Sequence, residues 1–199
     1  MEFREFPKIA RLSRDIVVTE KIDGTNASVY IGEGGGSILA GSRSRWVTPE
    51  NDNYGFARWV LNNREELLTL GPGHHFGEWW GRGINRNYGL KERKFSLFNT
   101  RRWCLHGQEP KAYPTQDPRV VKMQQVLPPC CALVPILYEG PFDTYTIEAT
   151  LESLRKNGSV AAPGYMRPEG VVVFHTAANM CFKKTIEKDE QPKGKTQCS

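Results

Sequence analysis

The sequence predicts an α+β fold built on antiparallel β-sheets with flanking helices. Short runs rich in Val, Tyr, Trp and Phe alternate with Gly and Pro, a pattern typical of strands separated by turns. Only residues 53–70 and 146–156 place apolar side chains at helical spacing. Many strands with few helices favour antiparallel sheets, and 199 residues suffice for one sizeable core or two small ones.

The predicted strands follow one another at short intervals along the chain. The first two, residues 15–20 and 27–31, flank a polar turn that contains glycine. A glycine-rich hairpin loop, Gly32 to Gly36, then leads to a return strand. The later strands are expected at residues 37–42, 75–80, 94–99, 133–138, 171–175 and 180–184, the last two forming a closing hairpin. Residues 107–119 contain Pro110, Pro114 and Pro118 and predict a surface connection.

Composition narrows the class of protein without identifying its function. The formal net charge is +5 and the isoelectric point about 9.0, which suits a polyanionic partner such as a nucleotide or nucleic acid. Five cysteines form no C-x-x-C pair, and their odd number favours reduced thiols and a cytoplasmic location. The charged N-terminus does not resemble a signal peptide, and no apolar run approaches the roughly 20 residues of a membrane span.

The segment from Thr19 to Asn26 carries the strongest chemical signal. Its sequence, T-E-K-I-D-G-T-N, places Lys21 at a predicted strand end, followed by an acid, a glycine and two small polar residues. A lysine amine is a covalent nucleophile once it is neutral. Gly24 is expected to let the backbone approach a phosphate, with Thr25 and Asn26 donating hydrogen bonds. The alternative is an ordinary polar turn, because Asp-Gly is a common turn dipeptide.

Further motifs in a fixed order make the chain resemble the covalent nucleotidyltransferase superfamily, which comprises DNA ligases, RNA ligases and mRNA-capping guanylyltransferases. Members share a K-x-D/H-G motif, which Lys21 to Gly24 match, and the resemblance covers residues 14–187. The downstream matches are Arg43 (with Arg45 as second choice), Glu78 in F-G-E, Phe98 in F-S-L-F-N, Glu169 in P-E-G-V-V, and Lys183 and Lys184 in C-F-K-K.

Asn26 distinguishes among these enzymes. DNA ligases and capping enzymes usually show K-x-D-G-x-R, whereas phage-type and RNA-editing-type RNA ligases show K-x-D/H-G-T-N, as here. The resemblance therefore implies an ATP-dependent RNA ligase, located in the cytoplasm (or the host cytoplasm for a phage protein). It also implies a single nucleotidyltransferase (ATP-grasp-like ligase) domain over residues 1–187, followed by a polar, flexible tail at 188–199.

The resemblance also implies roles for individual residues. Lys21 attacks ATP to form lysyl-AMP, and Glu169 binds Mg²⁺ or Mn²⁺ or orients Lys21. Lys183 holds the α-phosphate and favours the neutral amine by like-charge repulsion. The expected nucleotide contacts are Glu20, Lys21, Ile22, Asn26, Arg43, Glu78 (ribose), Phe98 (adenine), Glu169, Lys183 and Lys184. The expected nucleic-acid contacts are Asn26, Arg43, Arg45 and Arg82. Arg82 lies in a basic loop interleaved with aromatic residues, and such a loop is equally compatible with simple exposure to solvent.

Three departures from the family pattern bear on these expectations. Asn99 stands where relatives often have Asp, and Lys183-Lys184-Thr185 replaces the usual K-x-K. The chain also ends soon after that motif, whereas many relatives carry a further C-terminal domain. A small stand-alone ligase, a shortened chain and a subunit that needs a partner all fit. The alternatives are a DNA ligase, a GTP-using capping enzyme, and a non-catalytic nucleotide-binding or nucleic-acid-binding module.

Overall fold

A computed structural model describes residues 2–114 and 120–189 and divides the chain into two compact units. The first unit contains the residues up to Lys21 and those from Pro135 onward, and the second contains Ile22–Val134. The strands are β1 (Asp15–Lys21), β2 (Thr25–Ile31), β3 (Ile38–Ser42), β4 (Trp46–Val47), β5 (Gly73–Gly81), β6 (Arg93–Leu97), β7 (Trp103–Cys104), β8 (Ala112–Pro114), β9 (Val121–Met123), β10 (Gln125–Val126), β11 (Cys131–Leu133), β12 (Ile136–Pro141), β13 (Gly170–His175) and β14 (Met180–Thr185). The helices are α1 (Phe56–Asn62), α2 (Arg64–Leu68) and α3 (Thr144–Asn157), and Glu33–Gly35 forms a 3₁₀ turn.

The first unit is a four-stranded antiparallel sheet covered on one face by α3. Its strand order is β12-β1-β13-β14. Ile16 and Val18 of β1 pack with Val171 of β13 against Ile147 and Leu151 of α3. Because side chains alternate along a strand, the odd-numbered residues of β1, including Lys21, lie on the sheet face opposite α3.

The second unit contains a six-stranded sheet of order β11-β6-β5-β2-β3-β4, with two small two-stranded sheets, β10-β7 and β8-β9. One face of the large sheet packs on α1 and α2 through an aromatic cluster. The Phe56 ring lies 5.3 Å from Trp79 and 5.1 Å from Phe95, and Trp59 lies 5.2 Å from Trp79. The opposite face carries Asn26, Glu78 and Ser96 on three adjacent strands.

These sheets confirm the predicted α+β class and most strand positions, including the closing hairpin of β13 and β14. The pairings are antiparallel except for β11 with β6 and β10 with β7. β1 and β2 belong to different sheets, so the polar segment between them is not a hairpin turn. No helix among residues 2–114 and 120–189 is long and apolar enough to cross a membrane.

Three details of the predicted elements are wrong. The single helix expected at residues 53–70 is two short helices, because Asn63 leaves helical geometry (φ −111°, ψ 21°) and its side-chain amide donates to the Trp59 carbonyl at 2.8 Å. The strand expected at 133–138 is split by Val134 and Pro135 into β11 and β12, in different sheets. The proline-containing connection includes strand β8, paired with β9, while residues 115–119 lie outside the described residues.

The predicted single domain over residues 1–187 stays a prediction. The predicted tail at 188–199 falls almost entirely outside the described residues, which end at Asp189.

Helix α3 begins at a side-chain cap that we expect to respond to pH. The Asp143 carboxylate accepts hydrogen bonds from the Thr146 hydroxyl (2.7 Å) and the Thr146 amide (2.8 Å), which hold the pKa of Asp143 below its usual value. A lowered folded-state pKa contributes stability that is present above the unfolded pKa and is lost as pH falls through the folded one. We expect Asp143→Ala to lower Tm at pH 7 and to weaken the loss of Tm between about pH 5 and pH 2.

Asp143→Asn is the matched control, since it keeps a capping oxygen but does not titrate. Thermal unfolding followed by circular dichroism across this range measures both effects. An Asp143→Ala protein with the Tm of the unaltered protein at pH 7 would contradict the assignment of this cap.

Candidate active site

Lys21, at the end of β1, forms an ion pair with a buried carboxylate. Its Nζ lies 2.6 Å from Oε2 of Glu169, whose side chain is only 4% exposed, against 19% for that of Lys21. The register explains the contact, because Lys21 is opposite Gly170 and Glu169 immediately precedes that residue. Gly170 cannot be replaced easily, since a Cβ atom there would collide with the Lys184 carbonyl oxygen. Gly170 is paired with Thr185 of β14, and the Ile186 amide donates to the Glu169 carbonyl at 2.9 Å, so the backbone of Glu169 is held by the end of β14.

The structure separates the two lysines of the last motif. Lys183 is paired with Val172 and Thr19 across the sheet, in the row that shares the face of Lys21. Lys184 is paired with Val171 on the helix-covered face, where its Nζ donates to Oε1 of Glu148 in α3. That hydrogen bond raises the pKa of Lys184. Lys184 was also expected at the nucleotide, and its role there stays a prediction; of the two lysines, only Lys183 lies on the sheet face of Lys21.

Glu20, adjacent to Lys21, is buried and fully engaged with a turn of the first unit. Its carboxylate accepts hydrogen bonds from the Ser159 hydroxyl (2.5 Å) and from the amides of Val160 and Ala161 (2.8 Å each). Burial raises the pKa of Glu20, and these hydrogen bonds oppose the rise. Glu20 was expected to contact the nucleotide, but its carboxylate instead fixes residues 159–161 beneath the end of β1.

In the second unit, Glu78 of β5 holds the segment that follows Lys21. Its Oε1 accepts from the Gly24 amide at 3.0 Å, and its Oε2 accepts from the Asn26 side chain at 3.2 Å. A Cβ atom at Gly24 would lie 2.5 Å from the Trp79 carbonyl oxygen and 2.6 Å from the Trp80 Cβ. Close packing on β5 therefore requires glycine at this position, and the approach of a phosphate to Gly24 stays a prediction.

Asp23 is held by a loop whose role the sequence analysis missed. Its carboxylate accepts from the Arg86 guanidinium at 3.0 Å and from the Asn85 side chain at 3.1 Å, and its amide donates to the Tyr88 hydroxyl at 2.8 Å. Asn85, Asn87 and Tyr88 all have positive φ, which is unfavourable for a bulky residue. The Asn-rich sequence N-R-N-Y-G was the available signal, because Asn tolerates left-handed backbone.

Several charged side chains in and just after this basic loop, which was expected to contact nucleic acid, are engaged within the protein. Arg86 is engaged by Asp23, and Arg93 donates to the backbone carbonyls of Arg82 and Tyr54. The Lys94 Nζ lies 6.0 Å from the Trp80 ring. Arg82 is exposed and remains a candidate contact for nucleic acid.

The remaining candidates of the second unit differ in accessibility. Phe98 is 43% exposed, and its amide donates to the Phe76 carbonyl, so it continues β6 on the sheet face of Glu78. Arg43 and Arg45 are exposed in the turn between β3 and β4, where Arg45 also donates to the Asn51 carbonyl at 3.1 Å. Ile22, which was also expected at the nucleotide, is 4% exposed.

A family model described as RNA ligase matches residues 14–188. No curated protein sequence matches the chain.

Several solved structures share the fold, among them mutants of Naegleria gruberi RNA ligase. An apo mutant is 19% identical with a TM-score of 0.58, a mutant with AMP and Mn is 19% identical with a TM-score of 0.57, and a mutant with ATP and Mn is 20% identical with a TM-score of 0.56. Each match covers 87% of this chain and 50% of the other. The chain thus spans about half the length of the structures it matches.

The Glu20 carboxylate should be a measurable source of stability. Glu20→Ala removes the acceptor of the Ser159 hydroxyl and of the Val160 and Ala161 amides, so we expect the free energy of unfolding to fall by roughly 2–5 kcal/mol. Glu20→Gln keeps an amide oxygen for these donors and should lose clearly less. Urea unfolding followed by tryptophan fluorescence compares the three proteins, and equal losses for the two variants would contradict this role.

Proposed function

The chain belongs to the RNA ligase family, and from this premise we propose that it is an ATP-dependent RNA ligase, or the catalytic domain of one, which carries AMP covalently on Lys21. The observation that supports this most strongly is the contact of Lys21 Nζ with the buried carboxylate of Glu169 at 2.6 Å. A flexible lysine side chain is thereby held in one place at a strand end. Such positioning is a large part of catalysis in phosphoryl and nucleotidyl transfer.

In the first step, the neutral Lys21 amine attacks the α-phosphorus of ATP. A P–N bond forms, the bond from the α-phosphorus to the bridging oxygen breaks, and pyrophosphate leaves with that oxygen. The attacking nitrogen then loses a second proton to solvent, which gives the neutral phosphoramidate nitrogen. The ammonium proton has to leave Nζ before attack, because only the neutral amine is nucleophilic. Glu169 contacts Nζ directly and is therefore the group placed to receive that proton or to keep the amine oriented after its loss.

Lys183 is proposed to bind the α-phosphate. It lies on the sheet face of Lys21, one strand beyond β13. Its positive charge stabilises the negative charge that develops on the phosphate oxygens in the transition state. We favour Lys183 over Lys184 for this role, because Lys184 lies on the helix-covered face and contacts Glu148.

In the second unit, Glu78 is proposed to accept a hydrogen bond from a ribose hydroxyl, and Phe98 to stack on adenine. Glu78 is held by Gly24 and Asn26, so its carboxylate is already oriented. Phe98 exposes an aromatic surface on the same sheet face. Aromatic stacking on a purine is sequence-tolerant and contributes about 1–3 kcal/mol per base.

Mg²⁺ or Mn²⁺ is proposed as cofactor, in keeping with the solved relatives that contain Mn. No cluster of three His, Cys, Asp or Glu side chains that could cage a metal ion occurs among the residues that the structure describes. This fits Mg²⁺, which proteins usually bind through one or two carboxylates together with substrate phosphates and water. Glu169 is the proposed ligand, and the ion would neutralise charge on the triphosphate and the departing pyrophosphate.

Two further steps would complete ligation. A 5′-phosphate oxygen of RNA attacks the phosphorus of lysyl-AMP, which breaks the P–N bond and returns a proton to Nζ. A 3′-hydroxyl then attacks the 5′-phosphorus, releases AMP and its own proton, and forms the phosphodiester. Arg43 and Asn26 are proposed to hold the 5′-phosphate, since an arginine suits bidentate phosphate contact, and Arg45 and Arg82 to contact the strand.

Nucleic acid with 5′-phosphate and 3′-hydroxyl ends is therefore the proposed partner, with RNA favoured by the K-x-D-G-T-N motif. The match covers only 50% of the first of these structures, and we propose that a further domain or partner subunit assists sealing. A cytoplasmic location and a role in RNA repair remain predictions.

The alternatives make different predictions about labelling. A capping-type enzyme would be labelled by GTP, a DNA ligase would transfer AMP to a DNA-only nick, and a non-catalytic module would bind nucleotide without an adduct. The family match favours RNA ligase over all three.

The decisive test of this proposal is incorporation of label from α-³²P-ATP into the protein with Mg²⁺ or Mn²⁺, followed by transfer to 5′-phosphorylated RNA. We expect Lys21→Ala to abolish the labelled band and Lys183→Ala to reduce it at least about 100-fold, a loss similar to that of other electrostatic contacts in transition states.

Lys184→Ala is the matched control, because it removes the same charge from the adjacent position but on the other sheet face. We expect it to label like the unaltered protein. Equal losses for the Lys183 and Lys184 variants would contradict the assignment of the α-phosphate contact. An unaltered protein that takes label from neither ATP nor GTP would contradict the proposed function.

A further inference from the structure

The open face of the six-stranded sheet carries a row of aromatic side chains that none of the proposed catalytic steps uses. We call Tyr30, Trp46, His74 and Phe76 the aromatic row. Phe76 is 58% exposed and Trp46 50% exposed, and both rings contact the His74 ring, so they belong to one contiguous group. Contiguous exposed apolar surface of this kind commonly marks a binding site.

The strand register places these residues on one face. His74 and Phe76 alternate along β5 with His75 and Gly77, which face the core, and Tyr30 of β2 is paired with His74. Trp46 of β4 is paired with Gly41 of β3. Glu78 lies on the same face, two residues beyond Phe76.

The rings contact one another in a continuous series. The Tyr30 ring lies 4.7 Å from His74 and 6.1 Å from Trp46. The His74 and Phe76 rings are nearly parallel, with centroids 5.6 Å apart and 7° between their planes. A Cβ atom on Gly41 would lie 3.3 Å from the Trp46 ring, so the absence of a side chain at Gly41 lets the indole lie against the sheet.

We propose that the aromatic row is a stacking platform for unpaired bases of the RNA strand, a proposal that rests on the proposed function. Flat, adjacent and partly exposed rings offer the π-faces on which bases stack without sequence preference. Tyr30 and His74 also carry polar atoms, which are compatible with the polar sugars of an RNA strand and the water around it. Phe98, proposed to stack on adenine, is paired with Phe76 through the hydrogen bond between their backbones.

Charge complementarity favours a nucleic acid over an apolar protein surface as the occupant. The turn that precedes Trp46 carries the exposed Arg43 and Arg45, and the chain has a net charge of +5. Cationic side chains beside aromatic rings are the combination by which proteins bind single strands: the cations contact phosphates and the rings contact bases. A fully paired duplex keeps its bases stacked internally and cannot use such a platform.

The test measures binding of fluorescein-labelled, 5′-phosphorylated single-stranded RNA by fluorescence anisotropy, without ATP. Trp46→Leu and Phe76→Leu keep apolar bulk but remove the aromatic face. We expect each to weaken binding by about 5- to 150-fold, the range of one lost base stack. Trp46→Phe should retain most of the affinity. Binding of a fully paired RNA duplex of equal length should change little.

Tyr145→Leu is the matched control, because Tyr145 is 79% exposed on α3 of the other unit and should leave RNA binding unchanged. Unaltered thermal unfolding of each variant excludes misfolding. Quenching of tryptophan fluorescence by RNA should diminish in Trp46→Leu, since Trp79, Trp80 and Trp103 are buried and Trp59 is partly buried against the core on the other face of the sheet.

Several outcomes would overturn the platform: no binding of single-stranded RNA by the unaltered protein, wild-type affinity in both leucine variants, or equal losses for single strand and duplex. A changed sedimentation coefficient in the variants with unchanged RNA binding would also overturn it, in favour of a protein interface. Self-adenylation is measured separately. If self-adenylation is normal but the leucine variants bind RNA like the unaltered protein, the platform fails and the proposed function stands. If self-adenylation is absent but the leucine variants weaken RNA binding, only the proposed function fails.

Discussion

The ion pair between Lys21 and Glu169 is the interaction on which the proposed chemistry of this protein depends. A carboxylate that is 4% exposed needs a positive partner close by, because an unpaired charge in such a position is costly. That requirement holds the lysine amine at one point beside the start of β13. Glu20 reinforces the arrangement from the opposite side of β1, where its buried carboxylate fixes residues 159–161. Stability and reactivity are therefore linked at consecutive residues of one strand.

In the second unit, close packing fixes the segment that follows Lys21. Gly24 packs against the backbone of Trp79 so closely that no side chain fits. Asp23 is bound by a loop in which three residues other than glycine have positive φ. Unfavourable backbone geometry of this kind persists only where surrounding contacts determine it. Tyr88 supplies such contacts, because its ring packs on Trp80 and its hydroxyl meets the Asp23 amide. The loop thus positions the motif and does not merely connect strands.

Much of this could be predicted from the sequence. The strand limits followed from alternating apolar residues and turn residues, and the ordered short motifs identified the family and its candidate residues. The sequence could not distinguish Lys183 from Lys184, because only the strand register decides which neighbour faces Lys21. It also could not show that Asn63 ends a helix, or that the Glu20 carboxylate accepts hydrogen bonds from residues 139 to 141 positions later in the chain. Long-range pairing, and not local propensity, determines each of these features.

The most direct test of the central claim is to locate the nucleotide on the chain. The protein is incubated with ATP and Mg²⁺, digested under non-acidic conditions that preserve a phosphoramidate, and analysed by peptide mass spectrometry. The account predicts a single AMP, attached to Lys21 and to no other lysine. AMP on Lys183 or another lysine, or no adduct on a protein that nevertheless seals RNA, would contradict it.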